Sequence, residues 1–525
     1  MKNIDTDVLV IGGGSAATRA AIEAAKAGVK TLLVDKGVVS ESGSSPRALV
    51  GFSAKVTDED SDELYLQDWI KASGGICDQN LVMEVIRQGP NMARELEAIG
   101  IKWISNPDNS WFIAQRAGHS IKRTLQAKGV GHEHSNVITM LRAEAEKQCV
   151  NFCEGVMITR LLKKDDRVVG AYGINNKGEH IVFRAKAVVL AAGGANRMYP
   201  CLADGIELYK YRTTGDSFNL AFHAGAPIVD MEFTQFRDSP PAGPIYNAHY
   251  LNSLGERYME RYDPVALEKA PRAMMVRALY NEVLEGRGPI VWKVEENQVA
   301  RSRAPMGHKY ATGQIVEIVL QYQRLMGGAR IDTNATTAVP GLFAAGESAG
   351  GLQGGDRMQG HGFPETQVFG GIAGRSAAAL AKDSSLISPD QTQIEKEQNR
   401  LAHIGGDQDP AEFIRTVQNI MWEQASVVTN KGMLQQAIDK LQKLRKETSL
   451  RLSNTDIFAA LEAANLVLAA EMVAQSKLAR EETRSAHSRN DFPLADDNWI
   501  KHVCITNKAG DIEISTIPVN TQYKQ

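Results

Sequence analysis

Gly12, Gly14 and Ala17, in the run GGGSAATRAA from Gly12 to Ala21, have the types and spacing of a turn that holds a pyrophosphate. The first glycine permits the tight turn, the second lets the backbone approach the phosphates, and the small Ala17 lets a helix lie close to a strand. A short β-rich run, Asp7 to Ile11, leads into the turn, and the N-terminus of the helix that follows attracts phosphate charge. A second apolar strand, Thr31 to Val34, ends at Asp35, roughly the 20-residue offset at which a carboxylate can bind a ribose hydroxyl. On this motif alone, a strand, turn and helix that bind nothing stays open as an alternative. Far down the chain lies a second glycine-rich stretch, GLFAAGES from Gly341 to Ser348. A dinucleotide held by both implies a domain that is interrupted and resumed, leaving the intervening segment free to cover a reaction site.

The elements that must position these residues can be read along the chain. Val168 to Gly194 has a hairpin-like pattern whose apolar strand, Ala187 to Ala192, runs into Gly193 and Gly194. Small residues there let the backbone sit against a flat or phosphorylated ligand. TTGDSFNLAFHAGA, Thr213 to Ala226, offers a Gly-Asp turn and then a helix of small residues. From about Met231 to Arg324 the strand–helix rhythm gives way to arginine, tyrosine and proline, which predicts an inserted cap. The cofactor domain resumes near Met326 and ends in a helix around Gly370 to Leu380. Ile394 to Arg480 reads as helical, and Ile457, Leu461, Ala464, Leu468 and Met472 form a core-packing stripe behind a start signal at Asn454 to Asp456. The final stretch contains strand-like runs and reads as an appended module. The expected divisions are 1–230 and 326–385 for the cofactor domain, 231–325 for the cap, 386–480 for the helical domain and 481–525 for the C-terminal module.

A chain of 525 residues exceeds one hydrophobic core, so several domains are expected. A formal net charge of −3 argues against a nucleic-acid surface. No basic, apolar leader precedes the first strand and no run of about 18 apolar residues stands out. A cytoplasmic protein is expected, with any place at the inner face of the cytoplasmic membrane reached through a partner. Cys77, Cys149, Cys153, Cys201 and Cys504 are scattered and read as reduced thiols. Cys149 and Cys153 form one close pair without a second, a weak basis for a metal site. With neither clustered thiolates nor a CxxCH motif, the chain is not expected to carry its own iron–sulfur cluster or c-type haem.

Six blocks, in order, resemble the flavoprotein subunits of succinate dehydrogenase and fumarate reductase, a family that also includes L-aspartate oxidase and adenylylsulfate reductase. They are GERYMERYDP (Gly255 to Pro264), EGRG (Glu285 to Gly288), MGGARID (Met326 to Asp332), PGLFAAGES (Pro340 to Ser348), GGDRMQGHGFPETQVFGGIAG (Gly354 to Gly374) and ETRSAHSRNDFPLADDNW (Glu482 to Trp499). The resemblance covers nearly the whole chain. It implies an α/β fold in which a Rossmann-like FAD-binding domain is interrupted by an α+β capping domain and followed by a helical C-terminal domain. It also implies FAD and two-electron chemistry on a small acid.

Gly12, Gly14, Ser15, Ala16, Ala17, Asp35, Lys36, Gly193, Gly194, Asp216 and Glu347 fall on positions that resemble the family's FAD contacts. Ser44 and Ser45 lie where several members attach FAD through a histidine, and SESGSSPRALVGFSA has none. Noncovalent FAD is therefore expected, with a lower potential that favours substrate reduction. Arg357 matches the arginine that clamps a substrate carboxylate, a task suited to a planar, bidentate guanidinium. Arg287, in EGRG, is taken on resemblance alone as the proton donor to the carbon opposite the hydride acceptor. A surface ion pair is the bland alternative for each arginine.

The departures concern the substrate's other pole. Gln323, Arg324 and Leu325 stand where the family has a histidine, tyrosine and threonine, and Arg237 replaces a second histidine. PPAGPIYNAHYLNS takes the place of the Thr-Glu-Gly and Arg-Gly-Glu-Gly segment. Glutamine donates a hydrogen bond without carrying a charge, and arginine adds one. An anionic substrate other than plain succinate or fumarate is expected. His361 replaces an asparagine and offers either a polar contact near the flavin or a histidine satisfied by backbone. The favoured reading is a FAD oxidoreductase acting on a CH–CH bond beside a carboxylate or acyl group. An adenylylsulfate reductase-like enzyme and an electron-transfer flavoprotein with a decayed pocket are the alternatives. The absence of a cluster motif points to a partner that carries the iron–sulfur clusters, a separate electron-transfer subunit.

Overall fold

The computed structural model describes residues 1–48, 50–116, 118–129, 136–200, 213–239, 248–294, 313–453 and 455–523. Cys201, Asn454 and part of the PPAGPIYNAHYLNS segment lie outside them. At the centre is a seven-stranded sheet. Lys2–Ile11 runs parallel between Thr31–Asp35 and His180–Leu190, and Asn151–Glu154 extends the parallel side. Val8, Leu9 and Val10 have no exposed surface, as expected of a strand covered on both faces. On the other side, Arg167–Asn175 and Val156–Lys164 form an antiparallel extension.

Leu342–Ala344 joins this sheet in parallel at the end of His180–Leu190, pairing Leu342 with Val188. The two glycine-rich stretches are thus parts of one layer despite their separation in sequence. The helix Ser15–Lys26 packs on the helix Gly362–Lys382, where Gly370 and Gly374 meet the Ala16 and Ala20 backbone with no room for a Cβ.

Between the two halves rises a four-stranded antiparallel sheet in the order Thr234–Ser239, Ile315–Leu325, Ile290–Val294, Ala248–Leu251. The helix Arg272–Leu284 packs against it. A register shift between Gln235 and Phe236 places Gln235 opposite Arg324 and Phe236 opposite Tyr322.

Gln391–Ala402, Pro410–Ala425, Lys431–Arg451 and Ile457–Ala479 make the helical part. Ile457–Ala479 differs from the one-faced stripe the sequence suggests: it is buried on nearly every side, between Pro410–Ala425 and Lys431–Arg451. By length and composition it is apolar enough to cross a membrane, yet 78% of its most apolar window is buried within the fold. Glu462, Glu471 and Lys477 interrupt its apolar sequence, and each has a partner. Glu462 pairs with Lys36 at 2.8 Å, Glu471 with Arg445 at 2.6 Å, and Lys477 donates to the Ser426 carbonyl at 2.9 Å.

The C-terminal residues also differ from an appended module. The hairpin Lys501–Lys508 and Asp511–Pro518 pairs through Cys504 and Ile505 with Ile228–Val229, inside a five-stranded sheet that includes Gly328–Arg330 and Ala349–Gly350. Its own apolar face is too small to stand alone. Arg480, fully buried, fastens the junction by donating to Glu232 at 2.7 Å, Glu482 at 2.8 Å, and the Trp499 and Lys501 carbonyls at 2.7 and 2.6 Å. Arg480→Leu strands the buried Glu232 carboxylate, while Glu482 keeps Arg484, so stability should fall by about 3–5 kcal/mol. The expected readout is a lower thermal midpoint, together with faster hydrogen exchange in residues 501–518; unchanged exchange there would show that the hairpin is held elsewhere.

Candidate active site

The dinucleotide cradle is built where the central strands end. Gly12 takes φ 120° and Gly193 φ 81°, both in the region that favours glycine. A Cβ on Gly194 would collide with the Glu347 carboxylate, and one on Gly12 with the Ala191 backbone. Gly14 caps the helix Ser15–Lys26 without a side-chain hydrogen bond, and no acidic residue occupies the first turn. The positive end of that helix is open to phosphate, flanked by Ala16 and Ala17. Ser45 Oγ accepts from the Ser15 amide at 3.1 Å, and Ser44 Oγ accepts from Asn196 at 2.8 Å. Asn196 Oδ1 is buried without a partner.

Asp35 accepts from the Gly37 amide and the Ser42 hydroxyl through Oδ1, both at 2.7 Å. Its Oδ2 sits beside Gly13 in the cradle. Burial raises the Asp35 pKa against the pull of these hydrogen bonds. Unfilled acceptors, glycine-only backbone and an uncapped helix end fit a dinucleotide such as FAD. Lys36 and Asp216, by contrast, face each other. Lys36 Nζ lies 2.6 Å from Asp216 and 2.8 Å from Glu462, while Asp216 also accepts from Thr214 at 2.8 Å and Asn465 at 2.9 Å. Burial opposes ionisation of Asp216, but Lys36 holds its carboxyl below the usual range. These two side chains tie the cradle to the helical part.

Glu347 accepts from the Leu325 amide at 3.1 Å, and burial raises its pKa. It thereby links the cradle to the end of the cap strand Ile315–Leu325. Across that seam lies Arg357, whose Nη2 donates to Gln235 Oε1 at 3.3 Å and whose Nη1 donates to the Met358 carbonyl at 3.4 Å. Its Nε is buried without a partner. Burial, together with the charges of Arg324 and Arg272, pulls Arg357 down to about 9.

The other expected site residues divide. Arg287 is not beside Arg357. It donates to both oxygens of Glu282 at 2.7 Å and pairs with Glu285, because carboxylates two and five residues before it satisfy it locally. These bonds raise its pKa, the opposite of what a proton donor needs. Arg237 donates to Gln321 across the strand pair at 2.9 Å. Gln323 falls at the register shift, and its Oε1 is buried without a partner. Gln235, opposite Arg324 at the shift, accepts from Arg357. His361 sits in a cage of rings, 4.1 Å from Trp69 and 5.1 Å from His119 between centroids. Its Nε2 meets the Tyr65 hydroxyl at 3.0 Å and its Nδ1 has no partner, so a side chain rather than backbone satisfies it. Burial pushes its pKa down, which keeps it neutral.

Four residues outside the expected set, Arg324, Glu365, Gln353 and Arg272, complete the cluster. Arg324 is buried and donates to Glu365 at 3.0 and 3.3 Å, and Gln353 donates to the same carboxylate at 2.9 Å. Arg272 Nη1 donates to the Arg357 carbonyl at 3.4 Å. Among the described residues no carboxylate forms an ion pair with Arg272, Arg277 or Arg357, whereas Arg287 and Arg324 are both paired. One signal for Arg272 was present in the sequence. It opens a helix straight after Pro271, with no acid in the first turn. A cation at the positive end of a helix is unfavourable by roughly 0.3–1 kcal/mol, a placement that asks for an anion.

Comparison with known proteins agrees with this geometry. A family model described as FAD binding domain matches residues 7–363, and one described as Fumarate reductase flavoprotein C-term matches 414–525. One component of the fumarate reductase (CoM/CoB) of Methanothermobacter marburgensis is 32% identical over 96% of this chain and 97% of that protein. FrdA of the Escherichia coli quinol fumarate reductase superposes with a TM-score of 0.87 at 26% identity, covering 99% of this chain and 97% of that one. Adenylylsulfate reductase of Archaeoglobus fulgidus has a TM-score of 0.80 at 21% identity, covering 98% and 96%, a likeness of fold. Gly194→Val should overpack the cradle by about 1–3 kcal/mol and weaken FAD binding about 5- to 150-fold. FAD titration of the apoprotein measures this, with Gly405→Ala, whose added Cβ meets nothing within 4 Å, as the control.

Proposed function

The chain belongs to the fumarate reductase and succinate dehydrogenase flavoprotein family, and on that footing we propose that it reduces a carbon–carbon double bond conjugated to a carboxylate. The observation that carries this reading is the adjacency of Arg272 and Arg357, neither paired with a carboxylate among the described residues. Asp356 and Glu365 offset part of the Arg357 charge without pairing with it, and a half-buried cation so incompletely answered favours an arriving anion. That argues for a working anion site over a decayed pocket. The retained arginines suit a planar carboxylate, and the likeness to adenylylsulfate reductase extends to fold alone.

FAD, when bound, would supply the two-electron hydride chemistry. Arg357, oriented by Gln235 and the Met358 carbonyl, binds the carboxylate and fixes the substrate. Arg272 takes the role that resemblance alone gives to Arg287: it begins the cap helix Arg272–Leu284 and gives a proton to the second carbon. Arg324 is held by Glu365 and adds positive charge beside Arg357. That charge makes the site anion-seeking while leaving one guanidinium free for substrate. Closure of the cap sheet over the seam excludes water, which strengthens each of these interactions.

FAD is held noncovalently in this reading, supported by hydroxyls rather than a histidine at Ser44 and Ser45 and by the Asn196 bond to Ser44. Electrons reach it from an iron–sulfur protein of the same complex. Among the described residues no group of three or more His, Cys, Asp or Glu could hold a metal, and the relatives are themselves named as subunits. Fumarate heads the candidate substrates on the name of the Methanothermobacter relative, with larger enoates next because Gln323 and Arg237 rebuild the second pole.

The test is anaerobic reduction of the FAD-loaded chain followed by reoxidation with fumarate and a panel of unsaturated acids. Arg357→Ala and Arg272→Ala should each lower turnover by about 10²- to 10⁴-fold. Arg287→Ala should stay within about fivefold, because Glu282 keeps Asn252, Arg261 and Tyr262 as partners. The reverse pattern would return the donor's role to Arg287 and sink the reading.

Arg357 also sets a pH limit. Its pKa is lowered to about 9, so the cation is complete below that pH and lost as pH rises through it. Malonate binding, followed by perturbation of the flavin spectrum, should be level below pH 9. Above it, binding should weaken by up to about tenfold per pH unit, and Arg357→Lys should move the break.

A further inference from the structure

Resting on the reading of Arg272 as a proton donor, the structure also shows how that arginine can be reloaded. Each turnover removes a proton from a guanidinium whose reference pKa lies above about 12, so a neutral arginine must be recharged quickly. A small cavity at the junction of cap, cofactor domain and C-terminal segment is lined by Thr234, Gln235, Arg272, Arg277, Asp356 and Ser485, with apolar side chains completing the wall. It has room for about one water molecule. Thr234 is 2% exposed and its hydroxyl, which also lies beside the Tyr199 hydroxyl, supplies one polar contact for such a water.

Asp356 is the one carboxylate in this lining. Its Oδ1 accepts from the Arg357 amide at 2.8 Å and from Gln235 Nε2, which leaves Oδ2 without a hydrogen bond among the described residues. Other acids near the arginines are engaged. Glu365 is bound by Arg324 and Gln353, and Glu347 by the Leu325 amide. The caged His361 is turned to Tyr65. At the outer edge, half-buried Arg277 donates to the Ser485 carbonyl at 3.0 Å, and the Asp356 charge offsets the burial of its guanidinium.

We propose that Asp356, through one water in this cavity, returns a proton to Arg272 after each turnover. As the carbon–hydrogen bond forms, an Arg272 N–H bond breaks and leaves a neutral guanidine. The cavity water gives that guanidine a proton and takes one from the Asp356 carboxyl. The carboxylate so formed is protonated from bulk water at the Arg277 and Ser485 edge. The net transfer is one proton from solvent and no electrons, and it reverses if the enzyme runs as a dehydrogenase. The Asp356 charge faces Arg272 and Arg277 on the cap helix, Gln235 on the cap strand and Arg357 beside it, and among the described residues no other carboxylate lines the cavity.

The test uses the FAD-loaded full chain with fumarate, or with whichever acid of the panel the parent reduces fastest. Asp356→Asn should slow turnover by about tenfold or more and raise the solvent deuterium isotope effect. Malonate affinity, read from the flavin spectrum, should stay within about twofold. Asp356→Glu should recover most of the rate. Thr234→Val, which keeps the volume and removes the hydroxyl, should slow turnover in the same isotope-sensitive way. Parental turnover with an unchanged isotope effect in Asp356→Asn overturns the proposal. So does loss of malonate binding in step with turnover, which would make Asp356 only a support for Arg357. If Arg272→Ala is itself fully active, the underlying reading has failed instead, and the two failures are distinct.

Discussion

The positive charge gathered at the seam between cap and cofactor domain is the constraint on which the site depends. Arg357 is buried beside Arg324 and Arg272, and that company, with burial, lowers its affinity for a proton. Glu365 neutralises one of the three, through Arg324. A fold that maximised stability would supply further carboxylates or replace the cations with apolar groups, since unpaired buried charge is among the most expensive features a core can hold. Asp356 and Glu365 answer part of that charge, and in the proposed reading the ligand answers the rest. A bound carboxylate completes an electrostatic arrangement that the protein alone leaves unfinished.

Holding such a deficit requires rigid surroundings, and much of the remaining architecture provides them. Arg357 lies just before the helix Gly362–Lys382, which is pressed against Ser15–Lys26 through glycines that admit no side chain. The same contact positions the phosphate end of the cradle, so cofactor and anion clamp share one scaffold. From the far side, Ile457–Ala479 fixes the cradle through Glu462 on Lys36 and Asn465 on Asp216. The sequence suggested cofactor contacts for Lys36 and Asp216, and they serve as the bolt between domains. Both functions place a charged pair near the dinucleotide, but the partner on the helix could be found only with the tertiary fold in hand.

How far the sequence could be read follows from the range of the interactions. The cradle was legible because its physics is local: a strand, a glycine turn and an uncapped helix lie within Lys2 to Lys26, and Asp35 follows at the next strand end. The interrupted domain was also legible, from two glycine-rich stretches that now prove to share a sheet. Arg287 was read from a motif, which gives spacing without direction, and in the fold its acidic neighbours Glu282 and Glu285 pair with it. Gln235 and Arg324 were hidden by a register shift, which sequence alternation cannot foresee. The C-terminal hairpin looked separate because its partner strand, Ile228–Val229, is only two residues long.

Arg272 brings these lines together. It stands at the first turn of a cap helix, where the dipole disfavours it, and donates to the Arg357 carbonyl. Both features set its guanidinium at the seam between cap and cofactor domain, beside Arg357. In the proposed reading, a donor on the cap and a clamp on the body meet only at this seam, so proton delivery and the exclusion of water depend on one contact. Arg287 lies on the same cap, but the charge it carries is already answered by Glu282 and Glu285.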